Sequence, residues 1–355
     1  MSRRAAAIAA VVCLAWTAAG ALLLWPEGGD RDTSSASSGS TVADSEPSPS
    51  VEPEPSTDAS EAGEAEIRTP SAPAAPATPG PYAVERVHGP HEVAPRLKRP
   101  PGAGLLFDVD SGEVLWARNP GRPRPIASLT KMLTALIVAE RHRPDERVLI
   151  SAKAPRVEGS RIGVLKPGGR VPLRGLFAGL LMASGNDAAA ALAEHDAGTI
   201  AGFVARMNRR AVELGLACSR FAGPAGLQDR GNRSCAYDLA ALARADLDNR
   251  WVASITGRRS ARFRFPVKGG MLSLANNHYF VQRGIAGIPG ARVTGVKTGY
   301  TNGAGRCYVT SARLRGIHLG VVLLDSVDPL RQVPALLRAG FAARGAIGAK
   351  PAPVG

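Results

Sequence analysis

The order of elements along the chain limits the possible folds most: strand-like segments stand at both ends of the folded part, and helical ones fill the middle. Near the start, "GLLFDVDSGEVLWAR" (residues 104–118) reads as two short strands joined by a turn around Asp110, Ser111 and Gly112. From about Arg262 the strand pattern returns. "RVTGVKTG" ends one strand, "RCYVTSARL" is the next, and "IHLGVVLLD" follows after a turn at Arg315 and Gly316. Such an order predicts one antiparallel sheet assembled from the two chain ends, with an all-helical part inserted between them, a mixed α/β (α+β) domain.

The inserted part is built from apolar helices. One starts at Ser128 and is apolar from Met132 to Ala139 except for Thr134, so it reads as buried on nearly every side. A second begins at about Leu173 and breaks at "ASGND" (residues 183–187). Helix resumes from Asp187 to about Ala197, and an amphipathic helix covers about Ile200 to Leu214. After a loop from Phe221 to Ser234, "AYDLAALARA" reads as helix, with Ser234 as its cap and Asp238 near its first turn. A last helix, about Pro329 to Ala343, precedes a loose tail at 346–355. There is no internal repeat and no Gly-rich phosphate loop before a helix.

Composition separates the folded part from the rest. Residues 26–95 hold thirteen Asp and Glu against three Arg, among dense Pro, Ser, Ala and Thr, and read as a disordered acidic linker. The chain's net +14 therefore concentrates in residues 96–355, which carry +22. A domain this basic suits nucleic acid, an anionic membrane or an anionic polymer such as a cell wall. Ahead of the linker, Ala5 to Trp25 are 21 residues without a charge, preceded by Arg3 and Arg4 and followed by acids. That length can cross a bilayer with the rest of the chain outside, and residues 1–25 read as a signal anchor or, with Ala18, Ala19 and Gly20 before a cut, a signal peptide. The expectation is therefore a domain held at the outer face of the cell membrane by one N-terminal segment, or secreted if that segment is cleaved, with no nucleic acid as partner.

Cys218, Cys235 and Cys307 then lie in an oxidising compartment. Cys218 and Cys235 bracket a loop rich in Gly and Pro and are expected to pair, leaving Cys307 as a thiol in a strand. No cysteine shows metal-ligand spacing and the six histidines are scattered singly, so neither metal nor cofactor is expected.

Three places combine residues that can do chemistry. Lys131 begins a buried helix, three residues after Ser128, so the two side chains share a face. A serine hydroxyl needs a base, and a buried lysine of lowered pKa can be one. Ser184-Gly185-Asn186 sits at the break between two apolar helices, as an ordinary turn or as a hydroxyl and an amide aimed into a cleft. Lys297-Thr298-Gly299 stands at a strand end, where an ammonium and a hydroxyl suit a carboxylate.

Together, Ser-x-x-Lys, Ser-x-Asn and Lys-Thr-Gly in this order form the motif set of penicillin-binding proteins and class A β-lactamases. With "ASLTKMLTAL", "LLMASGNDAAAALAE" and "GVKTGYTNGAGRCYVTSAR", the chain resembles the serine D-alanyl-D-alanine carboxypeptidases of peptidase family S11, from about Ala94 to Ala343. The resemblance implies a β-lactamase/transpeptidase-like fold over residues 96–345. It also implies that Ser128 attacks the penultimate D-alanine of peptidoglycan stem peptides ending in D-Ala-D-Ala, that β-lactams inhibit it, and that Lys131 is the general base. Ser184 and Asn186 would assist, Lys297, Thr298, Gly299 and Tyr300 would bind substrate, and the N–H groups of Ser128 and Tyr300 would hold the oxyanion. One departure concerns "FAGPAGL" (221–227), where the family often has Phe-x-Asn-Pro-x-Gly-Leu; the missing Asn leaves the shape of that rim open. The alternatives are a D,D-endopeptidase or transpeptidase, a β-lactamase, and an inactive wall-binding protein. No Glu-x-x-Leu-Asn pattern of a class A β-lactamase lies between Ser184 and Lys297, and Glu213 falls on a helical face.

Overall fold

The computed structural model describes residues 80–86, 89–227 and 231–348. The uncharged segment at 5–25 and the linker up to residue 79 lie outside the described residues. No helix among the described residues is long and apolar enough to cross a membrane.

The chain opens with β1 (Ala103–Asp108), β2 (Val114–Arg118) and β3 (Arg124–Pro125), then a 3-10 turn (Ala127–Thr130) and α1 (Lys131–Arg141). Next come β4 (Arg147–Leu149), β5 (Arg170–Pro172), α2 (Leu173–Met182), α3 (Asn186–Ala197) and α4 (Ile200–Glu213). β6 (Arg233–Ser234), α5 (Ala236–Asp248), α6 (Arg250–Thr256), β7 (Ser260–Arg264), β8 (Met271–Ala275) and α7 (Tyr279–Arg283) follow. The chain closes with β9 (Arg292–Thr301), β10 (Gly305–Leu314), β11 (Ile317–Ser326) and α8 (Pro329–Ala343).

The main sheet has the order β2-β1-β11-β10-β9, antiparallel throughout. β1 from the chain start pairs with β11 from the chain end, Ala103 opposite Leu324 and Asp108 opposite Leu319. This is the sheet that the element order predicts. Both its faces are covered, which explains why "VVLL" in β11 is continuously apolar rather than alternating. Leu105, Phe107, Val322 and Leu324 point to one face, where they pack with Leu129, Met132 and Leu133 around α1 and with Leu239 and Leu242 of α5. Leu106, Val321 and Leu323 point to the other face, onto Val333, Leu336, Leu337 and Phe341 of α8. Each such side chain contributes about 1.5–3 kcal/mol on burial. The fit is close at Gly320, where a Cβ would lie 2.4 Å from the Phe107 ring.

A second core joins α2, α3 and the β7–β8 hairpin through residues such as Phe177, Leu180, Leu192, Phe265 and Leu272. α1 runs between the two cores, with Leu136 and Ile137 in the first and Ala135 and Val138 in the second. Its apolar sequence from Met132 to Ala139 follows from that position, and the one polar residue in that run, Thr134, donates to the Pro224 carbonyl at 2.8 Å.

Several local expectations need correction. β7 and β8 form their own two-stranded sheet rather than entering the main one. Ser234 does not cap α5; Cys235 takes that position without a side-chain bond, while the Ser234 and Ser219 hydroxyls share a hydrogen bond of 2.7 Å. The packed chain also begins before residue 96. The Glu85 N–H donates to the Gly112 carbonyl at 3.0 Å, Arg244 donates to the Ala83 carbonyl at 2.6 Å, and Val93 is buried. At the other end Ala346, within the span expected to be a loose tail, is buried beside α8. Cys218 and Cys235 are joined in a disulfide, and Cys307 is a buried thiol on β10.

Candidate active site

The break between α2 and α3, the start of α1 and the edge strand β9 meet at one cleft of about 340 Å³, lined by Ser128, Ser184, Thr298, Gly299 and Tyr300 among others. Five of the eight residues singled out from sequence thus line the cleft, and Lys131 and Asn186 are bonded to one another beside Ser128. Lys297 is buried on the same strand.

Ser128 is the second residue of the 3-10 turn, and the α-helix starts only at Lys131. The expected helix start at Ser128 is therefore three residues early for the α-helix, and no side chain caps either element. Its hydroxyl is bonded instead to Lys131, whose Nζ lies 2.9 Å from Oγ. The same Nζ lies 2.7 Å from Asn186 Oδ1 and 2.8 Å from the Ala225 carbonyl. Asn186 is held in that orientation because its Nδ2 donates to the Glu158 carbonyl at 2.6 Å.

Lys131 is fully buried, and burial pushes its ammonium well below the ordinary lysine value; the charge of Lys297 pushes the same way and that of Asp187 opposes. A neutral amine has two N–H groups and one lone pair. Two of its three neighbours are carbonyl oxygens that can only accept, so both N–H groups are taken and the lone pair is left facing the Ser128 hydroxyl. This is an arrangement that can draw a proton from Oγ.

Backbone geometry around the serine is tight. Ala127 has φ +47°, and Gly226 packs so closely on it that a Cβ there would sit 1.9 Å from the Ala127 carbonyl oxygen. On the other side a Cβ at Gly299 would be 2.8 Å from the Ser128 nitrogen. The glycine of Lys-Thr-Gly thus lets β9 press against the serine's backbone. Ser184, also on the cleft, is buried with φ +58°, a left-handed conformation at the turn between α2 and α3.

Lys297 is buried at 1% exposure, and burial lowers it to about 7; its Nζ donates to the Thr298 carbonyl at 2.8 Å. Thr298 and Tyr300 stand farther along β9, Tyr300 exposed. β9 is the last strand of the sheet, so its outer edge has no strand partner within the main sheet.

Sequence reasoning missed three contributors. The loop "FAGPAGL" supplies the Ala225 carbonyl to Lys131, a backbone group that leaves no signal in residue type. Asp187, buried in the first turn of α3, accepts from the N–H groups of Ile162 and Gly163 at 2.9 and 3.0 Å and so holds the loop that brings Ser160 to the cleft. A charged residue between "SGN" and the apolar run from Ala188 to Ala193 was the available clue. Asn277 also lines the cleft from the segment after β8.

Comparison with known proteins shows the family of this chain. The family model of peptidase S11, the D-alanyl-D-alanine carboxypeptidases, matches residues 94–327. The chain belongs to this family. It is 33% identical over 232 residues to the D-alanyl-D-alanine carboxypeptidase DacF of Bacillus subtilis, covering 64% of this chain and 58% of that one. To DacB2 of Mycobacterium tuberculosis it is 36% identical over 222 residues, 62% of this chain and 73% of that one. The crystal structure of a D-alanyl-D-alanine carboxypeptidase from M. tuberculosis H37Rv superposes with a TM-score of 0.65 at 33% identity, covering 72% of this chain and 96% of that one. The family's match spans the sheet, the inserted helices and every motif residue, and the expected fold class holds.

Proposed function

We propose that the chain is an exported serine D,D-carboxypeptidase that removes the terminal D-alanine from peptidoglycan stem peptides, and that penicillins acylate it at the same serine. The observation that carries this reading is the buried Lys131 amine 2.9 Å from Ser128 Oγ with its other two contacts on carbonyl oxygens. Family membership supports the substrate class.

In this reading Ser128 Oγ forms a bond to the carbonyl carbon of the penultimate D-alanine while its proton passes to Lys131 Nζ. The N–H groups of Ser128 and Tyr300 take the oxyanion, a contribution worth about 10²–10³ in rate per donor. Lys297 and Thr298 bind the terminal carboxylate. Lys131, with Ser184 as relay, returns the proton to the leaving nitrogen as the C–N bond breaks and D-alanine departs. Water then cleaves the Ser128 ester and releases the shortened peptide. Export rests on the sequence: the 21 uncharged residues Ala5 to Trp25 hold the domain at the outer face of the membrane, or are removed.

The test is incubation of the purified domain with a fluorescent penicillin and, separately, with a peptide ending in D-Ala-D-Ala. A label on Ser128 and released D-alanine are expected. No covalent label and no D-alanine would end the enzyme reading, and rapid penicillin turnover without peptide cleavage would select a β-lactamase.

A further inference from the structure

At the far end of α1, about 15 Å along the helix axis from Lys131, three side chains from three elements converge. His142 follows α1, Glu146 precedes β4, and His195 lies in the last turn of α3. Their nearest ligand atoms all fall within 4.8 Å of one another, and each side chain is partly open to solvent. Glu146 Oε2 is shared: His142 Nδ1 lies 2.9 Å from it and His195 Nε2 3.1 Å. The other carboxylate oxygen accepts from the Arg143 N–H at 2.6 Å, which fixes the orientation of Glu146.

The decisive contact lies on the opposite side of His142. Its Nε2 is 3.0 Å from Asp196 Oδ1, and Asp196 is a fully buried carboxylate gripped by Arg141 and Arg206. Both ring nitrogens of His142 therefore face carboxylate oxygens. With Nε2–H donating to Asp196, the Nδ1 lone pair faces Glu146 Oε2, where a cation held in common could take it. A histidine whose second nitrogen is fixed by a carboxylate is the usual outer arrangement of a metal-bound imidazole. Two imidazoles and one carboxylate, with water as a fourth ligand, suit zinc. Arg141 and Arg206 both direct their guanidinium groups at Asp196 rather than at Glu146.

We propose that His142, Glu146 and His195 bind one zinc-class divalent cation, with Asp196 positioning the His142 ring, and that the ion clips the ends of α1 and α3 to the segment before β4. The site is separate from the Ser128 cleft, and its role is to hold the helix that carries Ser128 and Lys131.

The full chain, made without a histidine tag and stripped with a chelator, is dialysed against Zn²⁺ alone and its metal content measured by mass spectrometry. One zinc per chain is expected, with Tm raised by about 5 °C or more when free zinc is in hundredfold excess over Kd. His195→Gln and Glu146→Gln each weaken zinc binding by at least about tenfold while the circular dichroism spectrum is kept. His195→Gln decides if the Glu146 variant does not fold. The proposal is overturned if the chain retains no zinc, or if both variants bind it as tightly as the parent does.

Discussion

Lys297 lies close enough to Lys131 for its charge to help hold the Lys131 ammonium below the ordinary lysine value, although burial is the larger cause. The proposed reaction uses the two in opposite states, Lys131 neutral to accept a proton and Lys297 charged to bind a carboxylate. Lys297 is charged below its value of about 7 in the free protein and loses that charge as pH rises through it. The kcat/KM for the peptide should then follow a bell, with an alkaline limb near pH 7 that moves upward in kcat, because a bound carboxylate favours the ammonium. The limbs belong to the pair rather than to either lysine. A kcat/KM that stays level between about pH 6 and about pH 10 would contradict this division of roles.

Lys131→Arg should lower the rate of penicillin acylation by about 10²–10⁴, since a guanidinium keeps its proton. The time course of covalent labelling measures it. Lys131→Met, which carries neither a charge nor a basic nitrogen, should show a loss of the same order. Full acylation by either folded variant would remove Lys131 from the mechanism.

Gly226→Ala places a methyl group 1.9 Å from the Ala127 carbonyl oxygen at a residue with φ +85°. The backbone of the serine turn must shift. The variant should lose more than about 1 kcal/mol of stability in urea unfolding, and its acylation rate should fall even where the protein is fully folded. A variant that unfolds early but acylates normally when folded would show that the contact serves stability alone.

Asp246 on α5 is fully buried, and neither carboxylate oxygen has a hydrogen-bond partner among the described residues. Burial raises its pKa well above the ordinary carboxyl value, with the charge of Glu140 acting in the same direction. The folded state therefore binds the proton more tightly than the unfolded state. Asp246's contribution is full at acid pH and is lost as pH rises above the unfolded value of about 4. Asp246→Asn should match the parent near pH 4 and exceed it in Tm near pH 8. Equal Tm differences at both pH values would disprove the assignment.

What could be read from sequence follows the range of the interactions. Ser128 and Lys131 are one turn apart, so local geometry alone puts their side chains together. The strand and helix periods of β1, β11, α2 and α8 are long enough to register, and the sheet follows from their order. α6 and α7 are too short to show a period, and they were not anticipated. The contacts of Gly299 with Ser128 and of Gly226 with Ala127 join residues distant in sequence, where a glycine announces space without saying what fills it. The Ala225 carbonyl is beyond sequence reading altogether, because every residue has one. His142, Glu146 and His195 read as scattered for the same reason: only the fold brings the end of α1 to the end of α3.

The pairing of β1 with β11 also dictates when this domain can exist. β1 and β2 alone make a two-stranded hairpin, which is marginal in water, and the strand that gives β1 its other neighbour is among the last to be made. A ribosome releasing this chain therefore delivers both halves of the helical region before the sheet they rest on can close. For a protein proposed to cross a membrane, that delay keeps the polypeptide threadable through a translocation channel, and folding begins only on the side where the C-terminal strands arrive.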